Sequence, residues 1–249
     1  MSVTVIIPCY NEEKYVGLLL QDLVAQTQQP DEIIVVDCHS SDSTVTVAKG
    51  FTKSIKLSIL EAPYRSAASA RNTGADGTDS DYLLFIDADM RLPADFVLQI
   101  MKRAATKHSD FVAAKMRSEG HHPIDHMVCW SINFSIYALH MKLRRHPAGV
   151  GGAMLVSHRL HNLIGGYSPQ LREFDDIDYF MRMWKHPVSF TYARKAVAIT
   201  SARRPREQGR LNSILQGMSD HHIFVRLFIR PLMKKKGILP KWHGLDDKN

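Results

Sequence analysis

Tyr82-Leu83-Leu84-Phe85-Ile86-Asp87-Ala88-Asp89 decides the fold. Apolar residues run here without alternation, which predicts a strand buried on both faces of a sheet. Two carboxylates follow one residue apart. A turn straight after the strand brings both onto one ion. Hard cations such as Mg²⁺ or Mn²⁺ take carboxylate oxygens together with substrate phosphates. The plainer reading makes either aspartate a cap for the helix that begins near Leu92 or Pro93.

Upstream, residues 66–76 read as an alanine-rich helix and 55–60 as a strand. A helix capped by Ser40 or Ser41 runs to about Lys49. Residues 32–36 form another strand ending at Asp37. Glu13 to about Gln26 is helical, with Val16, Leu19, Leu20 and Leu23 on one face, and residues 3–8 are a β-branched strand stopped by Pro8. Downstream, Pro93 opens a helix that ends near Lys107, followed by a strand over 110–115. A helix over 124–142 and a strand over 149–156 come next. Residues 175–185 predict a helix burying Ile177, Phe180, Met181 and Trp184. Short strands are predicted at 188–192 and 196–200, then a basic helical stretch over 209–236.

Strand and helix alternate, and the early strands are continuous apolar runs. This predicts an α/β fold: a mainly parallel, Rossmann-like sheet flanked by helices on both faces. Polar residues gather just past strand ends, at Tyr10 to Glu12, Asp37 to Asp42, and Asp87 to Asp89. Open α/β sheets bind ligands along that carboxyl edge.

The chain has 249 residues and a net charge of +7. Residues 203–249 hold 11 Lys/Arg and 4 Asp/Glu, so 11 − 4 = 7 and the whole excess lies there. Residues 1–202 are balanced, which excludes a uniformly basic nucleic-acid binder. The division predicted is a catalytic domain over 1–202 and a basic, largely helical extension over 203–249. Ile223, Phe224, Leu227 and Phe228 form an apolar stripe in that extension, with Arg226, Arg230 and Lys234–Lys236 close by. The two readings are docking on an anionic membrane surface or packing on the domain. Cys9, Cys38 and Cys129 show no CxxC pairing, the N-terminus lacks a basic leader, and no run of 18 apolar residues occurs. A cytoplasmic enzyme, peripheral on the inner membrane face in the docking reading, is expected. His122 and His126 stand four apart beside His121, a spacing open to zinc but more in keeping with an acceptor-side loop.

Several blocks resemble family 2 glycosyltransferases. They are Val5-Ile6-Ile7-Pro8-Cys9-Tyr10-Asn11-Glu12-Glu13; Ile33-Ile34-Val35-Val36-Asp37 with Ser40, Asp42 and Thr44; Ala70-Arg71-Asn72 with Gly74; and Asp87-Ala88-Asp89. Gly165-Gly166-Tyr167, then Asp175-Asp176-Ile177-Asp178 and Arg182, complete the order. The resemblance implies a GT-A fold, a nucleotide-sugar donor and inversion at the anomeric carbon. It implies that Pro8, Tyr10, Asn11, Glu12 and Asp37 hold the nucleoside, with Arg71 reaching base, sugar or phosphate. Asp87 and Asp89 would hold Mg²⁺ or Mn²⁺ against the diphosphate, Asp89 directly, and Asp176 would be the general base. Cys38 and His39 depart from the family pattern, in which a glycine is common at the second position. Arg203 and Arg204 are candidates for clasping pyrophosphate. The expected partners are a UDP-sugar, or failing that a GDP-sugar, and a hydroxyl acceptor, lipid-linked in many relatives. Two other readings compete with transfer of a sugar. Nucleotidyl transfer wants a glycine-rich, cationic loop after the first strand, which Pro8 to Glu12 lacks. A non-catalytic nucleotide- or membrane-binding module leaves the acidic motifs without a purpose.

Overall fold

The computed structural model describes residues 1–120, 122–138, 147–149, 151–171, 175–201 and 203. Its first half alternates β1 (Val3–Cys9), α1 (Val16–Val24), β2 (Glu32–Asp37), α2 (Thr44–Lys49), β3 (Leu57–Glu61), α3 (Ala67–Asp76) and β4 (Tyr82–Ile86). Next come the two-residue β5 (Met90–Arg91), α4 (Phe96–Lys107), β6 (Phe111–Ser118) and α5 (Pro123–Ala138). β7 (Ala153–Ser157), α6 (His158–Leu163), α7 (Asp175–Met183) and β8 (Phe190–Thr200) complete the described elements.

The strands form one sheet in the order β3-β2-β1-β4-β7-β6-β8-β5. β1 pairs in parallel with β2 and β4, and β2 with β3. The strand order reverses between β1 and β4, the place where open α/β sheets form a ligand crevice. β7 runs antiparallel to both β4 and β6, while β6 and β8 are parallel. The carboxyl ends of β1, β2, β4, β6 and β8 therefore share one edge.

Successive side chains of the central strands enter opposite layers, as the pleat requires. Val5, Ile7, Leu84 and Ile86 pack with Leu19, Leu20, Phe96 and Ile100 on one face. Ile6, Leu83 and Phe85 pack with Tyr167, Tyr179 and Phe180 on the other. Both faces are covered, which is why these strands read as unbroken apolar runs.

Helix α3 lies close against β1, and its small residues permit this. A Cβ on Gly74 would collide with Ile6 Cγ2. β1 leads into Tyr10 and α3 carries Arg71 at its middle, so a shift here would be felt at both. Gly74→Ala is expected to destabilise the protein by about 1–3 kcal/mol, the usual cost of overpacking a dense core. Urea denaturation would measure it, and an unchanged midpoint would contradict the close approach.

Several sequence expectations shift. The sheet is mixed on its β7 side, because a doubly buried strand carries no polarity signal in its apolar pattern. Helix α2 starts at Thr44 rather than after Ser40 or Ser41, since both serines are spent bridging loops. Helix α4 starts at Phe96, three residues beyond Pro93, and β7 starts at Ala153. The two strands predicted at 188–192 and 196–200 are one strand, with a register shift opposite Ala114/Lys115. α7 buries Tyr179, Phe180 and Met183, whereas Met181 is 38% exposed and Trp184 lies past the helix end. Tyr179 goes inward because its hydroxyl meets His161 Nδ1 at 2.8 Å. The basic stretch over 209–236, with its apolar stripe, lies outside the described residues, as do Arg204 and His121.

Candidate active site

The loops after β1 and β2 are stitched together where the strands end. Asn11, at φ +54°, donates its N–H to Ser40 Oγ at 2.9 Å and accepts from Ser41 N–H at 2.9 Å. Glu12 N–H donates to Thr44 Oγ1 at 2.8 Å. Asp37 is buried at the end of β2; its Oδ2 accepts from Ser40 N–H at 3.1 Å. Its Oδ1 is buried with no partner among the described residues. An unmatched buried carboxylate oxygen carries a desolvation cost that a ligand N–H or O–H would relieve. Tyr10 stands at the mouth, 38% exposed, with the Arg65 guanidinium 4.0 Å above its ring. His39 adopts φ +61°, a left-handed conformation that explains why glycine suits this position. Its Nδ1 lies 2.8 Å from Glu61 Oε1.

Arg71 ties the two halves of the cleft. It projects from α3, is 5% exposed, and donates from Nη1 to Asp175 Oδ2 at 2.6 Å and from Nη2 to Asp87 Oδ1 at 2.9 Å. The ring of Tyr167 lies 5.1 Å from its Cζ. Asn72 fixes Tyr167 by accepting from its N–H and donating to its carbonyl, each at 2.8 Å. The end of β4 and the start of α7 are thus joined through one buried cation. Gly151 and Gly152 make room for this junction. A Cβ on Gly152 would come within 2.9 Å of Asp87 Oδ2, and one on Gly151 within 3.3 Å of Asp176 Oδ2.

Asp176 is next to this junction at the first turn of α7. Burial pushes its carboxyl above the usual carboxylate range, neighbouring Asp175 adds to this, and Arg71 partly offsets it. Asp178 is used otherwise: it accepts from Arg182, four residues on, and from Ser168 Oγ at 2.6 Å. Arg182 also donates to the carbonyls of Ile164 and Gly166, holding the glycine turn below α7.

Asp89 faces the other side of the cleft mouth. Its Oδ2 accepts from Ser201 Oγ at 2.8 Å and lies 3.7 Å from Arg203 Nη2. Arg203 also grips Glu12 through two bonds of 3.1 and 2.8 Å. Burial raises the Glu12 carboxyl; Arg203 lowers it in part, and Asp89 and Asp87 add to the rise.

These charges test whether a divalent cation fits. Glu12, Asp87, Asp89, Asp175 and Asp176 supply five negative charges against two from Arg71 and Arg203, so 5 − 2 = 3 remain uncompensated. A diphosphate would be repelled from such a cluster unless a cation came with it. Among the described residues no group of three or more His, Cys, Asp or Glu is arranged to hold a metal. Two carboxylates one residue apart, Asp87 and Asp89, are of a chemistry that suits a hard cation whose remaining ligands are substrate phosphates.

Sequence reasoning missed Arg65 and Ser201 as contributors, and placed Asp175 in the acidic block before α7 without its bond to Arg71. It singled out Arg71, Asp87, Asp89 and Asp176, which the fold brings to one cleft, and Tyr10, Asn11, Glu12 and Asp37, which border it. Pro8 is in β1, paired with Val36.

His161 lies beneath the cleft, its ring tilted against those of Phe85, Tyr167 and Tyr179. Burial lowers its pKa from 6.5 to about 4, with His158 and Arg182 adding to the effect. The unfolded chain binds a proton that the folded one refuses. This site's contribution to stability is thus complete above about pH 6.5 and falls away as pH drops towards 4, by up to about 3 kcal/mol. Melting temperatures of wild type and His161→Gln between pH 7 and 4 would check this. The variant should lose less on acidification, and parallel curves would contradict the assignment.

Comparison with known proteins gives the following. A Haemophilus influenzae protein described as an uncharacterized glycosyltransferase is 29% identical over 193 residues, covering 76% of this chain and 63% of its own. Glycosyltransferase GlyA of Streptococcus pneumoniae is 29% identical over 118 residues, 47% of this chain and 17% of that protein. The chain thus spans less than two thirds of either relative. In structure, residues 1–349 of S. aureus TarS, in complex with UDP-GlcNAc, superpose with a TM-score of 0.65 at 20% identity, over 81% of this chain and 58% of that one. The mannosyltransferase PcManGT from Pyrobaculum calidifontis, in complex with GDP-Man and Mn²⁺, gives 0.60 at 20% identity, over 79% and 56%. The shared architecture is the GT-A fold. The sequence model for glycosyl transferase family 2 matches residues 4–165, well over half of the chain, and the protein belongs to that family.

Proposed function

We propose that this protein transfers a sugar from a nucleotide-sugar donor to a hydroxyl acceptor with inversion, in the synthesis of a cell-envelope glycan. The observation that carries this reading is the Asp87–Arg71–Asp175 bridge. It holds Asp87, just past β4, and Asp175, next to Asp176, on one buried guanidinium, which supports a donor site and a base that work side by side. Tyr10 would stack on the base and the unpartnered Asp37 Oδ1 would accept from it or from the ribose. A Mg²⁺ or Mn²⁺ ion on Asp89, with Asp87 alongside, would neutralise charge building on the leaving diphosphate. Asp176 takes the acceptor hydroxyl's proton as that oxygen attacks the anomeric carbon. The bond from that carbon to the phosphate oxygen breaks and the nucleoside diphosphate leaves. The raised basicity of Asp176 suits it to hold that proton. Arg203, freed from Glu12, can turn to the diphosphate, with Arg204 beside it in sequence.

UDP is the favoured nucleotide, after the UDP and UDP-GlcNAc complexes of TarS, and GDP is the alternative after PcManGT. Thermal shifts with UDP, GDP, CDP and dTDP, each with Mn²⁺, test this. A nucleotide at 100 times its Kd should stabilise by about 2.7 kcal/mol. No shift with any of the four would overturn the donor assignment. Among the described residues no helix is long and apolar enough to cross a membrane. With a lipid-linked acceptor, the proposed place of work is the cytoplasmic face of a membrane.

A further inference from the structure

Helix α5 shows solvent an unusual face. Met127, Trp130 and Phe134 recur at i, i+3 and i+7 and are 54%, 65% and 55% exposed. The Trp130 and Phe134 rings stack at 5.4 Å with 12° between planes. The helix holds no lysine, arginine or glutamate, and its one acid, Asp125, is buried. The opposite side is anchored firmly. Cys129 and Ile136 are buried, and Asn133 donates to the Met116 carbonyl at 2.6 Å and accepts from Met116 N–H at 2.9 Å. So the aromatic stripe is held outward by a rigid seat and is not a loosely placed segment.

Cations flank this stripe. Lys115 and Arg117 of β6 are exposed. They alternate with Met116, which enters the opposite core layer, so they lie on the α5 side of the sheet. Arg194, at the β8 register shift, is exposed and stands 4.6 Å over Tyr137 of α5, with exposed Lys195 beside it. Glu119, the exposed acid nearest in sequence, bears instead on Arg91.

We infer that this face of α5 docks on an anionic lipid bilayer, the aromatic side chains entering the interface and the four cations meeting headgroups. Tryptophan and phenylalanine favour that boundary, and each cation near an anionic surface adds to binding. A second copy fits less well. A two-fold contact would set these same cations against their own copies, and three side chains fall far short of the 20–30 residues of a typical interface side. The orientation also suits the fold. α5 begins just past the carboxyl end of β6, whose neighbour β8 leads directly to Ser201 on Asp89. The cleft and the stripe thus open from one edge of the sheet. The inference rests on α5 and its flanking cations, and stands whether or not the transfer chemistry does.

Co-sedimentation of the full chain with phosphatidylcholine vesicles, with and without phosphatidylglycerol, tests it. Wild type should partition onto the phosphatidylglycerol vesicles. Trp130→Ser with Phe134→Ser should weaken this by about tenfold or more without lowering Tm, since both rings are largely solvated. Lys115→Ala with Arg194→Ala, an independent pair, should reduce the preference for phosphatidylglycerol, and an unchanged preference would remove these cations from the docking face. Unchanged partition of the aromatic variant would overturn the inference, as would no binding by wild type. A dimer in sedimentation velocity that the aromatic variant dissolves would replace the lipid by a second copy.

Discussion

Asp176→Asn is expected to lose turnover by about 10²- to 10⁴-fold, the usual worth of a general base, while nucleotide affinity barely changes. The amide keeps the shape of the carboxylate but cannot take the acceptor's proton. The same substitution should make the protein more stable at neutral pH. The folded pKa of Asp176 is raised, by burial first and by Asp175 second. Its contribution to stability is therefore fully present below the ordinary carboxylate pKa and is lost as pH rises through the folded value. Asparagine removes that penalty, so Tm should rise as activity falls, a trade common at active sites. In wild type, the acid limb of kcat/KM should lie above the ordinary carboxylate pKa. Near-normal turnover in the variant would move the base role to Asp175 or Asp178. Of these, Asp175 is bound to Arg71 and Asp178 to Arg182.

Asp89→Ala should act on the other half of the cleft. Mn²⁺-dependent binding of nucleoside diphosphate should disappear, and turnover should drop by at least about 10²- to 10³-fold, the scale of losing one preorganised electrostatic contact. Titration calorimetry of UDP with Mn²⁺ and with EDTA separates the two contributions. Wild type should bind more tightly with Mn²⁺, and the variant equally weakly under both conditions. The fold should survive, because Asp89 is held at one oxygen by Ser201 and its loss leaves Arg203 on Glu12. Unchanged, metal-sensitive binding by the variant would remove Asp89 from the donor site.

What the sequence displayed most clearly was local. β1, β2 and β4 are buried on both faces, so their apolar runs are continuous and end where polar residues begin. Asp87 and Asp89 follow β4 directly, so strand and site are legible together. The antiparallel direction of β7 was hidden because burial on both faces leaves no polarity in its residues. The buried face of α7 departs from the apolar spacing because Tyr179 turns inward, where the distant His161 satisfies its hydroxyl. Arg203 and Glu12 meet across 191 residues, a pairing that no spacing reveals. Arg65 was invisible for a similar reason: its place above Tyr10 depends on the turn before α3. Residues that act through neighbours in sequence could be read, and those that act through the fold could not.

The most direct test measures release of nucleoside diphosphate from UDP-sugars and GDP-sugars by wild type, Asp89→Ala and Asp176→Asn, each with Mn²⁺ and with EDTA. The prediction is release by wild type from one nucleotide class, dependent on Mn²⁺ and absent from both variants. Release that persists in EDTA, or that both variants retain, would contradict transfer from a metal-held nucleotide sugar in this cleft.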